Sequence, residues 1–292
     1  MNLNEKTITG HTGLTALLGS PVSHSISPLM HNEAFRLLGL DYVYLCFDVN
    51  EETLPAAVAG LRACGVRGFN LTMPCKNKII DFLDDLSPAA RLIGAVNTVV
   101  NEKGRLIGHN TDGTGYMRAV TDAGHNILGK TITVMGAGGA ATAICAQAAL
   151  DGVKKINIFA RKTSRFYPRM QKLCDDIHAL SSCEAQLFDN EDRTSLARAA
   201  EESTLLLNAT SVGMAPNTEN TILPDTSVLR PDLIVSDVIY NPRETRFLRE
   251  AKEAGCPVFN GMYMLLYQGA AAFRLWTGQD MPVNAIKKKF FS

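Results

Sequence analysis

Short continuous apolar runs, of the kind buried strands need, alternate along this chain with longer stretches whose apolar residues recur at helical spacing. Leu14–Leu18 reads as a buried strand, Pro28–Leu38 as a helix, Tyr42–Phe47 as a strand, Leu54–Ala63 as a helix and Gly68–Leu71 as a strand. That βαβα rhythm predicts a mostly parallel sheet with helices on both faces. Val96–Val100 and Arg105–Ile107 flank Asn101-Glu102-Lys103-Gly104, a hairpin turn. A second α/β series starts at Lys130. Its strands are Thr131–Met135, Lys155–Phe159, Ala185–Phe188, Leu205–Asn208, Ile234–Val238 and Pro257–Phe259, and a small-residue helix spans Ala140–Leu150. The last helix, from about Met262 to Trp276, carries polar Gln268 in an otherwise apolar pattern.

The length of 292 residues accommodates two domains. With 29 basic and 29 acidic side chains the formal charge is zero, which gives no reason to expect nucleic acid or an anionic membrane as partner. No apolar run approaches the ~20 residues of a bilayer span. The polar stretch Met1–Gly13 lacks the apolar core of a signal peptide. The seven cysteines are scattered without a Cys-x-x-Cys pair and read as reduced thiols of a cytoplasmic protein. His24, His31, His109 and His125 show no i,i+4 pair and no carboxylate at ligand spacing, so no metal is expected. The absence of a Gly-x-Ser-x-Gly elbow argues against a serine hydrolase.

Gly136-x-Gly138-x-x-Ala141 follows a strand and opens a helix, the context in which such glycines hold a dinucleotide. Gly136 allows the tight turn, Gly138 the approach of a pyrophosphate, and Ala141 close helix–strand packing. Where the next strand ends, Arg161, Lys162 and Arg165 stand with no carboxylate among them. They suit a ribose 2′-phosphate, although a solvated basic loop would look the same.

Ahead of this turn lies a group of polar residues at strand ends. Ser25 and Ser27 suit a carboxylate, and Ser27 before Pro28 also reads as a helix N-cap. Lys76 and Asp112 suit a proton-handling pair. Each alone also fits a plainer role, Lys76 as a surface lysine and Asp112 as the cap of a helix starting at Gly113. Asn70, Thr72, Asn97 and Gln268 supply hydrogen-bonding groups for ring hydroxyls.

Taken together, Ser23–Pro28, Asn70–Lys76, Ala95–Thr98, Asn110–Gly113, Gly136–Ala141, Asn208–Met214 and Gly261–Gly269 resemble the shikimate dehydrogenase family over essentially the whole chain. Tyr240-Asn241-Pro242, Leu266–Gly269 and Leu275–Gly278 are most similar to the branch that takes quinate as well as shikimate. The resemblance implies an α/β fold: an N-terminal α/β substrate domain (1–112 with 261–292, the C-terminal helices returning to it) and an inserted Rossmann domain (113–260). It implies that Lys76 and Asp112 are catalytic. Substrate would meet Ser25, Ser27, Asn70, Thr72, Asn97, Tyr240 and Gln268. Cofactor would meet Gly136, Ala137, Gly138, Gly139, Ala140, Arg161, Lys162, Arg165, Thr210, Val238 and Gly261.

One departure bears on the cofactor. The NADP-dependent branch carries Asn-Arg-Thr-x-x-Arg after the second Rossmann strand, and here Ala160-Arg161-Lys162-Thr163-Ser164-Arg165 keeps both arginines. The aspartate usual near Thr163 in the dual-substrate branch is missing. NADP is therefore expected ahead of NAD, in an enzyme interconverting 3-dehydroshikimate and shikimate, with quinate as a further substrate. The expected partners are small molecules, and the assembly a monomer or homodimer. A methylene-tetrahydrofolate dehydrogenase-like reductase is the enzymic alternative, though it has no need of the Ser25/Ser27 pair. A nucleotide-sensing regulator on the same fold is the non-enzymic one, though it has no need of Lys76 and Asp112.

Overall fold

Strand β1 (Gly13–Gly19) opens the first sheet of the computed structural model, which describes residues 7–223 and 225–291. The first six residues of the polar N-terminal stretch lie outside the described residues. After β1 come α1 (Ser27–Leu37), β2 (Tyr42–Asp48), α2 (Leu54–Ala63), β3 (Gly68–Leu71), β4 (Asp85–Leu86), α3 (Pro88–Ile93), β5 (Thr98–Glu102) and β6 (Arg105–His109). The strand order is β2-β1-β3-β5-β6-β4. Pairing is parallel for β1 with β2 and β3 and for β4 with β6, but antiparallel for β3–β5 and β5–β6. The sheet is thus more mixed than the βαβα rhythm predicts, because the hairpin inserts a reversed strand. At that hairpin Lys103 and Gly104 both have positive φ, 55° and 94°, the backbone a two-residue turn of this hand requires.

Parallel register decides which residues share a face. Ala16, Leu18, Phe69, Leu71 and Val99 lie on one face and build a core with Ile79, Val96 and Leu106. Thr15, Leu17, Tyr44, Asn70 and Thr98 occupy the other face.

The second sheet is parallel throughout, in the order β12-β11-β10-β7-β8-β9. It is built from α4 (Asp112–Asp122), β7 (Thr131–Met135), α5 (Gly139–Asp151), β8 (Lys155–Ala160), α6 (Tyr167–Leu180), β9 (Glu184–Asp189), α7 (Arg193–Glu202), β10 (Leu205–Asn208), β11 (Ile234–Asp237), α8 (Arg246–Glu253) and β12 (Val258–Phe259). Read from β9, this is the doubly wound order in which β7 and β10 diverge at the switch point. Gly113 lets α4 approach α5, since a Cβ there would lie 2.3 Å from the Ala143 carbonyl oxygen. The chain closes with α9 (Met262–Thr277) and α10 (Val283–Phe290).

The chain divides into two compact units, Met1–Thr111 with Gln268–Ser292, and Asp112–Tyr267. The sequence places the borders at 112/113 and 260/261; in this division the second border lies within α9, which begins at Met262. Among the described residues no helix is long and apolar enough to cross a membrane.

Candidate functional site

In the first unit, the polar residues singled out by sequence form an interlocked network. Asn97 Oδ1 accepts from the Thr111 backbone N–H at 2.8 Å, from Thr98 Oγ1 at 3.0 Å and from Thr111 Oγ1 at 3.2 Å. Its Nδ2 donates to Thr111 Oγ1 at 3.0 Å and to Gln268 Oε1 at 3.4 Å. Asn70 Nδ2 donates to the Asn97 carbonyl at 3.0 Å and to Thr98 Oγ1 at 2.9 Å. Each amide is thereby held in one orientation. Thr72 is half-buried, and its methyl occupies space that a Cβ on Gly19 would fill, only 2.3 Å away.

Lys76 is half-buried in the turn after β3, and its carbonyl accepts from the Val96 N–H at 2.8 Å. It is not the exposed lysine of the plainer reading, and it precedes the 3₁₀ turn that begins at Lys78. Asp112 is the first residue of α4 and of the second unit, half-buried, in the first helical turn where a carboxylate is favoured.

The serine pair requires a correction. Ser27 is not the N-cap of α1. That position is Ile26, already helical at φ −80°, ψ −12°, and it makes no side-chain cap. Ser27 therefore falls inside the first turn, buried at 8 % exposure. The cap-like bond belongs to Ser25, whose Oγ accepts from the Ser27 N–H at 3.2 Å.

In the second unit, a cleft of about 720 Å³ opens at the C-terminal ends of the parallel strands. Gly136, Ala137, Gly138, Gly139, Ala140, Arg161, Thr210 and Val238 line it, as does Tyr240. Lys162, Arg165 and Gly261 do not figure in its lining. Gly136 has φ 124°, and a Cβ there would meet the Ala209 carbonyl oxygen at 2.9 Å, so the turn itself demands glycine. Gly138 and Gly139 differ: a Cβ at either meets nothing within 4 Å. Their missing side chains leave empty space at the N-terminus of the 13-residue helix α5, where backbone N–H groups and the helix dipole favour an anion. These residues fit a dinucleotide pyrophosphate.

The hydroxyl of Thr210 is taken up by its own loop. It donates to Asn208 Oδ1 at 2.7 Å and accepts from the Val212 N–H at 3.0 Å. Asn208 is in turn anchored on Asp237 at 3.1 Å. Asp237 is fully buried, and burial raises its pKa to about 6. Gly261 approaches Val238 so closely that a Cβ would lie 1.9 Å from the Val238 carbonyl oxygen, which accounts for that glycine by packing.

At the ribose end, the sequence reading of cations without a carboxylate changes. Asp189, at the end of β9, lies 3.6 Å from Lys162 Nζ. The Arg165 guanidinium sits over the Phe166 ring, 4.8 Å from its centroid. Arg161 alone of the three lines the cleft, with Ser164, Phe166 and Asn190 beside it. Sequence reasoning missed Asp189 and Asn190 because only sheet order brings the end of β9 next to the end of β8. It also missed Thr98 and Thr111, whose hydroxyls tie the amides of the first unit together.

Comparison with known proteins accords with this geometry. Residues 17–99 match the shikimate dehydrogenase substrate binding domain, and residues 261–289 match the shikimate 5′-dehydrogenase C-terminal domain. A shikimate dehydrogenase (NADP(+)) of Listeria innocua is 56% identical over 284 residues, 97% of each chain. The crystal structure of shikimate 5-dehydrogenase from Listeria monocytogenes in complex with shikimate and NAD has a TM-score of 0.95 at 56% identity, covering 97% of this chain and 98% of that one. A quinate dehydrogenase from Corynebacterium glutamicum in complex with NAD has a TM-score of 0.84 at 30% identity, covering 96% and 99%. The lean toward the quinate branch read from short C-terminal motifs is thus matched at far lower identity than the likeness to shikimate dehydrogenases.

Proposed function

The chain belongs to the shikimate dehydrogenase family, and from that premise we propose that it catalyses the reversible, NADP-dependent reduction of 3-dehydroshikimate to shikimate, on the route to chorismate and the aromatic amino acids. The observation that carries the reading is the fixed amide network of Asn70, Asn97 and Gln268. Preset donors and acceptors suit a polyhydroxylated ring, because an analogue lacking a hydroxyl leaves buried partners unpaired.

In this reading Ser25 and Ser27 hold the substrate carboxylate, and Asn70, Thr72, Asn97 and Gln268 bind ring hydroxyls. Lys76 gives its proton to the oxygen that becomes the new hydroxyl, and in the reverse direction its neutral amine takes that proton back. Asp112 keeps Lys76 oriented and binds the neighbouring hydroxyl. When bound, the reduced nicotinamide supplies the hydride to the carbonyl carbon. Gly136–Ala140 hold the pyrophosphate at the start of α5. Arg161 favours a 2′-phosphate and hence NADP, with NAD as the weaker cofactor. The thiols, all free, accord with a cytoplasmic location.

The test follows reduced-nicotinamide absorbance with shikimate against NADP and NAD, and with quinate as the competing substrate. Lys76→Met should lower kcat by roughly 10²–10⁴-fold with a much smaller change in KM. Near-normal turnover in that variant would remove Lys76 from the mechanism.

A further inference from the structure

Tyr44, on β2, is a tyrosine with no exposure at all, and nothing in the function above uses it. Its phenol donates to Asn70 Oδ1 at 2.8 Å, reaching across β1 to β3 on the shared sheet face. Its backbone is clamped to α1 by Asn32, which donates to the Tyr44 carbonyl at 2.9 Å and accepts from the Tyr44 N–H at 2.8 Å. Its ring is stacked on His31, with centroids 4.5 Å apart and planes 6° from parallel, and Trp276 lies at 6.0 Å. Burial holds the phenol's pKa well above 10, so it stays protonated and remains a donor.

Proton counting then limits what the neighbours can do. Both Asn70 N–H bonds are taken, by Asn97 and Thr98, and one lone pair of its Oδ1 is taken by Tyr44. Asn70 is left with one acceptor position. The single phenolic proton goes to Asn70.

We propose that Tyr44 is a positioning residue for substrate: its buried phenol presets the Asn70 amide to receive one ring hydroxyl. Tyr44 is too deeply buried to touch substrate itself. This inference rests on the shikimate reading of the site and extends it to a residue outside the pocket wall.

The experiment is Tyr44→Phe in the full-length protein, which keeps the ring and its stack on His31 and removes only the hydroxyl. KM for shikimate should rise roughly 5- to 100-fold, the usual consequence of leaving a buried acceptor unpaired, while kcat and KM for NADP stay within about twofold. Phe35→Leu is the control: Phe35 is fully buried beside His31 and Phe273 but carries none of these hydrogen bonds. It should lower Tm and leave KM unchanged. In an Asn70→Ala background, where the amide that Tyr44 orients is gone, Tyr44→Phe should have much less effect on KM than in the wild type. An unchanged KM in Tyr44→Phe, an equal rise in Phe35→Leu, or a full effect in the Asn70→Ala background would each overturn the role. Wild-type protein that fails to oxidise shikimate would instead overturn the function itself, so the two failures are distinguishable.

Discussion

His31 carries a cost that acid should expose. Its ring is fully buried among Tyr44, Phe35, Phe273 and Trp276, and neither Nδ1 nor Nε2 meets a hydrogen-bond partner among the described residues. Burial lowers its pKa from 6.5 to about 3. The folded state therefore refuses a proton that the unfolded state accepts below pH 6.5. Stability tied to His31 is complete above that pH and falls as the pH drops toward 3, by about 1.4 kcal/mol per pH unit. At pH 5 the loss is about 2 kcal/mol. His31→Leu, close in volume, removes both nitrogens and with them this loss. Other groups titrate in the same range; Asp237, with its raised pKa, shifts stability in the opposite direction, but it is present in both proteins and cancels in the difference. Trp276, the single tryptophan, is buried with its ring 5.3 Å from His31, so its emission reports unfolding of this unit. Urea denaturation followed through Trp276 at pH 8 and pH 5 should show the variant gaining about 2 kcal/mol on the wild type between the two conditions. A difference between the two proteins that does not change with pH would refute the account of a neutral, unpaired His31.

Ser25→Ala and Ser27→Ala should both raise the KM for shikimate, but Ser25→Ala should also destabilise the start of α1 by about 0.5–2 kcal/mol, whereas Ser27→Ala should show a smaller loss of thermal stability. Gly138→Ala should fold normally, since its Cβ meets open space, yet raise the KM for NADP; Gly136→Ala should lose more than about 1 kcal/mol in denaturation because of its positive φ. Arg161→Ala should raise the KM for NADP by at least about tenfold and spare NAD, which steady-state kinetics with both cofactors will read. Asp189→Asn, by releasing Lys162, should widen the preference for NADP, and the gap should narrow with added salt.

Much of the fold was legible because local signals agreed with tertiary ones. Leu54–Ala63 and Gly68–Leu71 occur where expected, each apolar run being closed by glycine or polar residues. Short elements such as β4 and α3 gave too few residues for a period to show. Ser27 was misread because the capping rule assumes an extended residue before the helix, and Ile26 is already helical. Tyr44 lay in a correctly expected strand, but no one-dimensional pattern says that its ring reaches over β1 to Asn70. Asp189 was hidden for the same reason: adjacency of strand ends is a property of sheet order, not of spacing along the chain.

The two-segment construction of the first unit sets an order of events during synthesis. Its N-terminal part leaves the ribosome first, yet Phe273 and Trp276, which cover His31 and Tyr44, come only after the whole of Asp112–Tyr267. At translation rates of about 5–20 residues per second, that delay is roughly 8–30 s. For this interval the nascent sheet displays an uncovered aromatic face, while the continuous second unit is made and gains its last strand before Phe273 and Trp276 emerge. The part made first is therefore the part finished last, and its unfinished face is where a chaperone would have reason to bind.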